Sequence, residues 1–287
     1  MDIVMGIAAP RAGMRRVALV CAALAAGCGC GGGAVQRAYP QPTVEELLAH
    51  VRRSGDAVKS YVAEATMDYW VGDQRVKATV YVMGERGARV RFNAMSPATD
   101  TTAADLACNG QEFAYIDYHH ECQLGGVCDR NAIAQLLRVS MEPDDFLLLA
   151  VGSVPIIPRP TGTVRWDEKR GAEVVELVSE GRAWRQTLVL DGRGGPERWD
   201  VLESVVVDAQ GQVEWKLENK GFGAVTGVDG RPYRVPEASH FSQPKQKADL
   251  QVRWKQRTLN RDLDRSKFTL EAPAGLKRCE ARKPAAP

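Results

Sequence analysis

From Tyr61 onward apolar and polar residues alternate with a period of two. Ala63, Ala65, Met67 and Tyr69 fall on one side, and Glu64, Thr66 and Asp68 on the other, the pattern of a strand with one face buried. Gly72-Asp73 turns the chain into a second such run, where Val76, Ala78, Val80 and Val82 face away from Arg75, Lys77 and Thr79. After a turn at 84–87, Val90, Phe92 and Ala94 alternate with Arg89, Arg91 and Asn93. Three antiparallel strands in meander order are the simplest arrangement. Asn109-Gly110 between two apolar runs signals a further hairpin, with Phe113 and Tyr115 on one face of its second strand. Ahead of all of these, Thr43 and Glu46 have the spacing of a capping box. Val44, Leu47, Leu48, Val51 and Val58 then recur at helical intervals, which predicts a helix over about 44–59.

The period changes again near Asp129, a candidate cap for a helix with Ile133, Leu136 and Leu137 on one side. Pro143 suits the first turn of a second helix, which carries Phe146 to Val151 and stops at Gly152. Beyond Pro155, Pro158 and Pro160, strands resume at about 162–168, 172–179, 182–191, 198–208, 212–218, 231–242 and 247–259. Short strands at this spacing predict a sheet that curls, as a sandwich or barrel. The patterning on the two sides of the helices is of one kind, so the fold is expected to be mainly β, one sheet interrupted by helices.

The first residues read differently. Arg11, Arg15 and Arg16 precede an uncharged apolar run, Val17 to Ala26, the pattern of a secretory signal peptide over 1–27. Met14-Arg15-Arg16 also opens a compact signal by itself. The run is shorter than the roughly 20 residues a membrane-spanning helix needs. Leu24-Ala25-Ala26-Gly27-Cys28 resembles a lipobox, which implies a diacylglycerol on Cys28 and cleavage before it. Cys30 fits that pattern less well, and ordinary cleavage after a small-residue triplet is the alternative. Residues 28–42, with Gly31-Gly32-Gly33 and Pro40-Gln41-Pro42, are expected to be a flexible tether. Gly29 after the anchor resembles the sorting signal that sends enterobacterial lipoproteins to the outer membrane, here facing the periplasm. Losing residues 1–27 removes three arginines and one aspartate from 38 Lys+Arg and 36 Asp+Glu, leaving 35 of each. A neutral chain offers no basic stripe for nucleic acid.

Export changes the meaning of the cysteines. Cys108, Cys122, Cys128 and Cys279 would meet an oxidising compartment, where pairing is the default. Cys108 stands just before the Asn109-Gly110 turn, and a reversal near His119-His120 sends the chain back so that Cys128 returns to the Cys108 end. Cys108–Cys128 is therefore expected, because bridging needs Cα atoms within about 7 Å. Cys122–Cys128 across Gly125-Gly126 is the rival, and the partners of Cys122 and Cys279 stay open.

Two segments resemble the LolA/LolB family of lipoprotein carriers and acceptors: Val44 to Tyr69, a helix running into a first strand, and Leu259-Asn260-Arg261-Asp262-Leu263-Asp264-Arg265-Ser266-Lys267-Phe268-Thr269-Leu270. The resemblance covers about 43–273 and leaves 274–287 as a C-terminal tail. It implies a half-open, curved antiparallel β-barrel with an N-terminal helix, residues 129–151 as a helical lid, and an apolar cavity for acyl chains. The expected groove takes Met67, Tyr69, Val80, Val82, Phe92, Phe113 and Leu147 from the apolar faces of the early strands and the lid. The exposed leucine loop of the family's receptor has no unambiguous counterpart here.

Catalytic chemistry is not evident. His119-His120-Glu121-Cys122 and Cys128 offer zinc-ligating atoms at a spacing that matches no zinc site, and a polar loop is the expectation. There is no nucleophile elbow, His-Glu-x-x-His helix or phosphate-binding glycine loop, so no enzyme, metal or cofactor is expected. Six tryptophans, Trp70, Trp166, Trp184, Trp199, Trp215 and Trp254, sit in or beside strands and serve either a cavity or ordinary packing. Two readings remain: a membrane-anchored binder of acyl chains or lipoproteins, and a docking lipoprotein of an envelope complex with a self-filled interior. An apolar cleft of several hundred Å³ under the helices separates them.

Overall fold

The computed structural model describes residues 34–71, 74–96, 99, 101–137 and 139–279. The signal peptide, Cys28 and the Gly72-Asp73 turn lie outside the described residues. Helix α1 (Val44–Asp56) starts as its capping box dictates: the Glu46 amide donates to Thr43 Oγ1 at 3.2 Å, and the Thr43 amide donates to the Glu46 carboxylate at 2.8 Å. Its buried face is Leu47, Leu48 and Val51.

The chain then forms a meander of β1 (Ser60–Val71), β2 (Gln74–Glu85), β3 (Arg89–Met95), β4 (Thr102–Asn109), β5 (Glu112–Asp117) and β6 (Cys122–Val127). At the β4–β5 turn Gly110 takes φ 99°, and Asn109 Oδ1 accepts from the amides of Gln111 and Glu112. Helices α2 (Arg130–Leu137) and α3 (Pro143–Ala150) interrupt the sheet. A second meander follows in β7 (Pro160–Asp167), β8 (Ala172–Ser179), β9 (Trp184–Asp191), β10 (Val201–Asp208) and β11 (Val213–Lys220). After a small separate hairpin, β12 (Gly223–Thr226) and β13 (Pro232–Val235), the chain returns through β14 (Ala238–Gln243) and β15 (Ala248–Leu259).

Strand β15 closes the circuit by pairing antiparallel with β1, Tyr61 opposite Leu259 and Met67 opposite Val252. The two meanders thereby become one 14-stranded sheet, in the order β16-β6-β5-β4-β3-β2-β1-β15-β14-β11-β10-β9-β8-β7, where β16 is Lys277–Arg278. Its two edges do not pair with each other, so the sheet curves without closing into a barrel. The fold is mainly β with helices, as the pattern implied.

Three expectations need correction. The strand read over 231–242 is two strands in different sheets, because Pro236 has no amide to donate to a ladder and breaks the run between β13 and β14. The segment read as a C-terminal tail over 274–287 is in part joined to the domain, since β16 pairs parallel with β6. Residues 35–39, read as tether, are fixed to the domain. The Val35 amide donates to Glu168 O at 2.9 Å, and Trp166 Nε1 donates to Val35 O at 2.7 Å. Arg37 makes a two-point ion pair with the fully buried Glu173, at 2.8 and 3.0 Å.

Candidate functional site

Helices α2 and α3 lie over the concave face of the sheet, and each contact that holds them is traceable to a residue. Pro143 sits in the first turn of α3. Asp144 in that turn accepts from the amides of Gly87 and Ala88 at 3.1 and 2.9 Å, pinning the helix start to the β2–β3 turn. At the other end Arg257 from β15 reaches Ala150 O at 3.3 Å while lying over the Trp254 ring. Burial lowers the Arg257 pKa to about 10, against the raising influence of Glu237. Gly152 ends the lid with φ 76°, where a side chain would strike Phe222 and Pro236.

Cys108 and Cys128 are bonded, with Cα atoms 5.6 Å apart, which ties the chain two residues ahead of α2 to β4. Cys122 is bonded to Cys279 at a Cα separation of 4.9 Å and holds β16 against β6. Both sulfurs of the His119–Cys128 segment are thus engaged. His120 Nδ1 lies 2.8 Å from the Asp117 carboxylate, and no cluster of metal-ligating side chains occurs among the described residues.

Under the lid the two halves of the sheet differ. Met67, Val80, Val82, Phe92 and Leu147 are fully buried in a packed core, with Tyr69 and Phe113 against it. Phe146 from α3 packs edge-on against Phe92, ring centroids 4.8 Å apart. The lid itself therefore fills the space over the early strands, and none of these seven residues lines the cleft described next.

An open cleft of about 300 Å³ lies over the second meander. Its floor is Trp184 of β9, Val206 of β10, Trp215 and Leu217 of β11 and Phe241 of β14, and its roof is Met141, Leu149, Ile156 and Ile157. Trp215 and Phe241 are stacked with centroids 6.0 Å apart. Two buried carboxamides hold the roof at its ends. Gln243 accepts from the Ser140 amide and donates to Ser140 O, both at 2.8 Å. Gln186 accepts from the Ile157 amide at 3.0 Å and donates to Pro155 O at 2.9 Å.

The rim carries Arg130, Glu142, Asp145 and Glu214. Burial, then the Glu142 and Asp144 carboxylates, raise the Asp145 pKa to about 6. Comparison with solved structures finds chains of similar fold. The chain is similar to the LolA superfamily protein NE2245 from Nitrosomonas europaea, at 10% identity and TM-score 0.52, over 80% of this chain and 99% of that one. It is also similar to a DUF1329 family protein from Desulfovibrio piger, at 11% identity and TM-score 0.53, over 80% and 98%.

The fold is LolA/LolB-like.

Neither a family model nor a curated protein matches the sequence. Within this LolA/LolB-like fold, periodicity marked the apolar faces but not which part of the concave side stays open. Of the six tryptophans, Trp184 and Trp215 line the cleft, whereas Trp199 and Trp254 are buried packing residues. Asp145 was missed. Its only signal was an acidic residue in the first turn of an otherwise leucine-rich helix.

Proposed function

We propose that this protein is a bacterial envelope lipoprotein, anchored through Cys28, that takes up acyl chains or the acylated ends of lipoproteins in the cleft under the α2–α3 lid. The observation that carries the reading is the open apolar cleft of about 300 Å³ roofed by the lid of a LolA/LolB-like fold. Its size is at the lower end of ordinary small-molecule sites. Binding needs no covalent step: each methylene moved from water into such a cleft contributes about 0.8 kcal/mol. No helix of the described residues is long and apolar enough to cross a membrane, which suits attachment by a lipid. The signal-peptide pattern and Gly29 favour the outer membrane, facing the periplasm.

The filled core around Phe92 and Phe146 favours a second reading, a docking lipoprotein of an envelope complex, for the half of the sheet that the lid covers. One experiment tests both. A fluorescent acyl probe should bind the full chain carrying Cys28→Ser, and Val206→Trp, which fills the cleft, should abolish that binding. Absence of binding at high micromolar probe, in a chain shown to be folded, leaves only the docking reading. Cys28→Ser should also move the protein out of the membrane fraction.

A further inference from the structure

We propose, on the reading that the cleft binds a chain-bearing amphiphile, that it selects ligands whose head carries a cation, an ammonium group in preference to a carboxylate. Among the described residues the cleft wall holds three carboxylates, Glu142, Asp145 and Glu214, against one guanidinium, Arg130. Following each charge to its partner isolates one of them. Arg130 Nε is engaged by Glu142 at 3.2 Å. Glu214 is engaged by Lys245 at 3.0 Å, and the same ammonium also holds Asp208 at 2.6 Å. Asp144 is spent on the backbone amides of Gly87 and Ala88. Asp145 is left over: it is half-buried, it lines the cleft, and among the described residues it has neither a hydrogen bond nor an ion pair.

An uncompensated carboxylate in a partly dry site disfavours folding, and a cation supplied by the ligand removes that penalty. The apolar walls point the same way. Trp184, Trp215 and Phe241 present aromatic surface to the same cleft, and the negative faces of such rings attract ammonium groups and give nothing to a carboxylate. A fatty acid entering here would bring its carboxylate against Asp145, Glu142 and Glu214, with Arg130, already paired, as the one guanidinium among the described lining residues to meet it. An alkylammonium of the same length would find the one open charge position filled with its complement.

The groups that face Asp145 fix the pH dependence. Glu142 and Asp144 at the start of α3 oppose its ionisation, Arg130 from α2 favours it, and Glu214, paired with Lys245, lies across the cleft. With a carboxyl that ionises around pH 6, the preference is complete above neutrality and weakens through that range as the proton binds.

The test compares two probes on one scaffold, 11-(dansylamino)undecanoate and 11-(dansylamino)undecylamine, whose free terminal amine is protonated, binding to the full chain carrying Cys28→Ser. The amine should bind about tenfold more tightly at pH 7.5, the size expected for one partly buried charge pair. The ratio should shrink at pH 5 and at high salt. Asp145→Asn, which deletes a charge without changing shape, should bring the ratio close to one while leaving the far-ultraviolet circular dichroism unchanged. If that variant fails to fold, the wild-type pH and salt dependence still decides. Equal affinity for the two probes, or a ratio unmoved by Asp145→Asn, overturns the selection for a cation and leaves acyl binding standing. If neither probe binds, acyl binding itself is lost, and the selection with it.

Discussion

Replacing Gln186 by Leu isolates what holds the roof of the cleft. Gln186 lies on the inner face of β9, fully buried, in line with Leu188 and Leu190. Its carboxamide makes three bonds: from the Ile157 amide at 3.0 Å, to Pro155 O at 2.9 Å and to Ser204 Oγ at 3.0 Å. Leucine has nearly the same volume and keeps the apolar packing, so the change removes polar partners and little else. Three buried groups then lose their bonds. At about 1 kcal/mol for each bond, and up to about 3 kcal/mol for each group left buried without a partner, the cost is on the order of 3–5 kcal/mol if the roof stays in place. The roof has another option, because residues 154–158 belong to a loop beside an open cleft. By lifting, the freed Ile157 amide and Pro155 carbonyl reach water, and the global loss is then capped by the free energy of local opening. The two outcomes separate experimentally. Urea unfolding reads the global term, and amide hydrogen exchange over 154–158 reads the local one. A shift of at least about 2 kcal/mol, or loss of protection confined to the roof, is expected. A variant with unchanged stability and unchanged exchange would mean that Gln186 does not hold the roof, and the frame assigned to the cleft would be wrong.

Two further predictions concern stability. The pKa of Asp145 is raised to about 6, so the folded state holds its proton more tightly than the unfolded chain, and the wild type loses stability as pH rises through that value. Asp145→Asn should therefore be more stable than wild type by about 1–2 kcal/mol at pH 7.5, after allowing for the solvated part of the side chain, and equal to it near pH 4; thermal unfolding at both pH values checks this, and a constant difference refutes it. Replacing Cys108 and Cys128 together by Ala opens a loop with a sequence separation of 20 and should cost about 3 kcal/mol in the chain-entropy model. Non-reducing peptide mapping should link Cys108 to Cys128 and Cys122 to Cys279, and a peptide pair joining Cys122 to Cys128 would contradict the arrangement.

What the sequence made legible was local. The capping box at Thr43 and Glu46, the Asn109-Gly110 turn, Pro143 at the start of α3 and Gly152 at its end each act within a few residues, and each appears where its pattern stands. The alternation in β1 to β3 assigned faces correctly, since Ala63, Ala65, Met67, Val80, Val82 and Phe92 are all buried. Periodicity says that a face is covered and not by what. Whether Phe92 lines a groove or meets Phe146 depends on where α3 comes to rest, and that is set by Asp144 and Arg257 through partners 56 and 107 residues away. The pairing of β1 with β15, which makes two meanders into one sheet, likewise leaves no trace in either strand taken alone. Residues 35–39 were read as tether for a related reason. Val35, Arg37 and Tyr39 have no periodic neighbours, and what fixes them is Trp166, Glu173 and Trp199 at more than a hundred residues' distance.

That misread segment bears on how the cleft can work. Val35 is bound at the far end of β7, Arg37 stacks 5.3 Å from the Trp166 ring centroid and pairs with Glu173 at the start of β8, and the Tyr39 hydroxyl accepts from Trp199 Nε1 just before β10. Gly192, immediately after β9, comes within contact of both Tyr39 and Trp166. Of the strands that carry these contacts, β9 and β10 also floor the cleft, at their other ends: Trp184 is the first residue of β9 and Val206 lies near the end of β10. Trp184 and Asp191 bound that strand, and at a rise of about 3.3 Å per residue they stand roughly 23 Å apart. Residues 35–39 are therefore fixed at the end of β9 and β10 away from Trp184 and the cleft floor. For the proposed anchor at Cys28, any pull transmitted along the chain enters through β7 and β8, into a buried ion pair whose disruption costs about 3–5 kcal/mol, and not through the carboxamides that frame the roof. On that proposed reading, attachment through residues 35–39 and the framing of the roof by Gln186 and Gln243 rest on different residues of the domain.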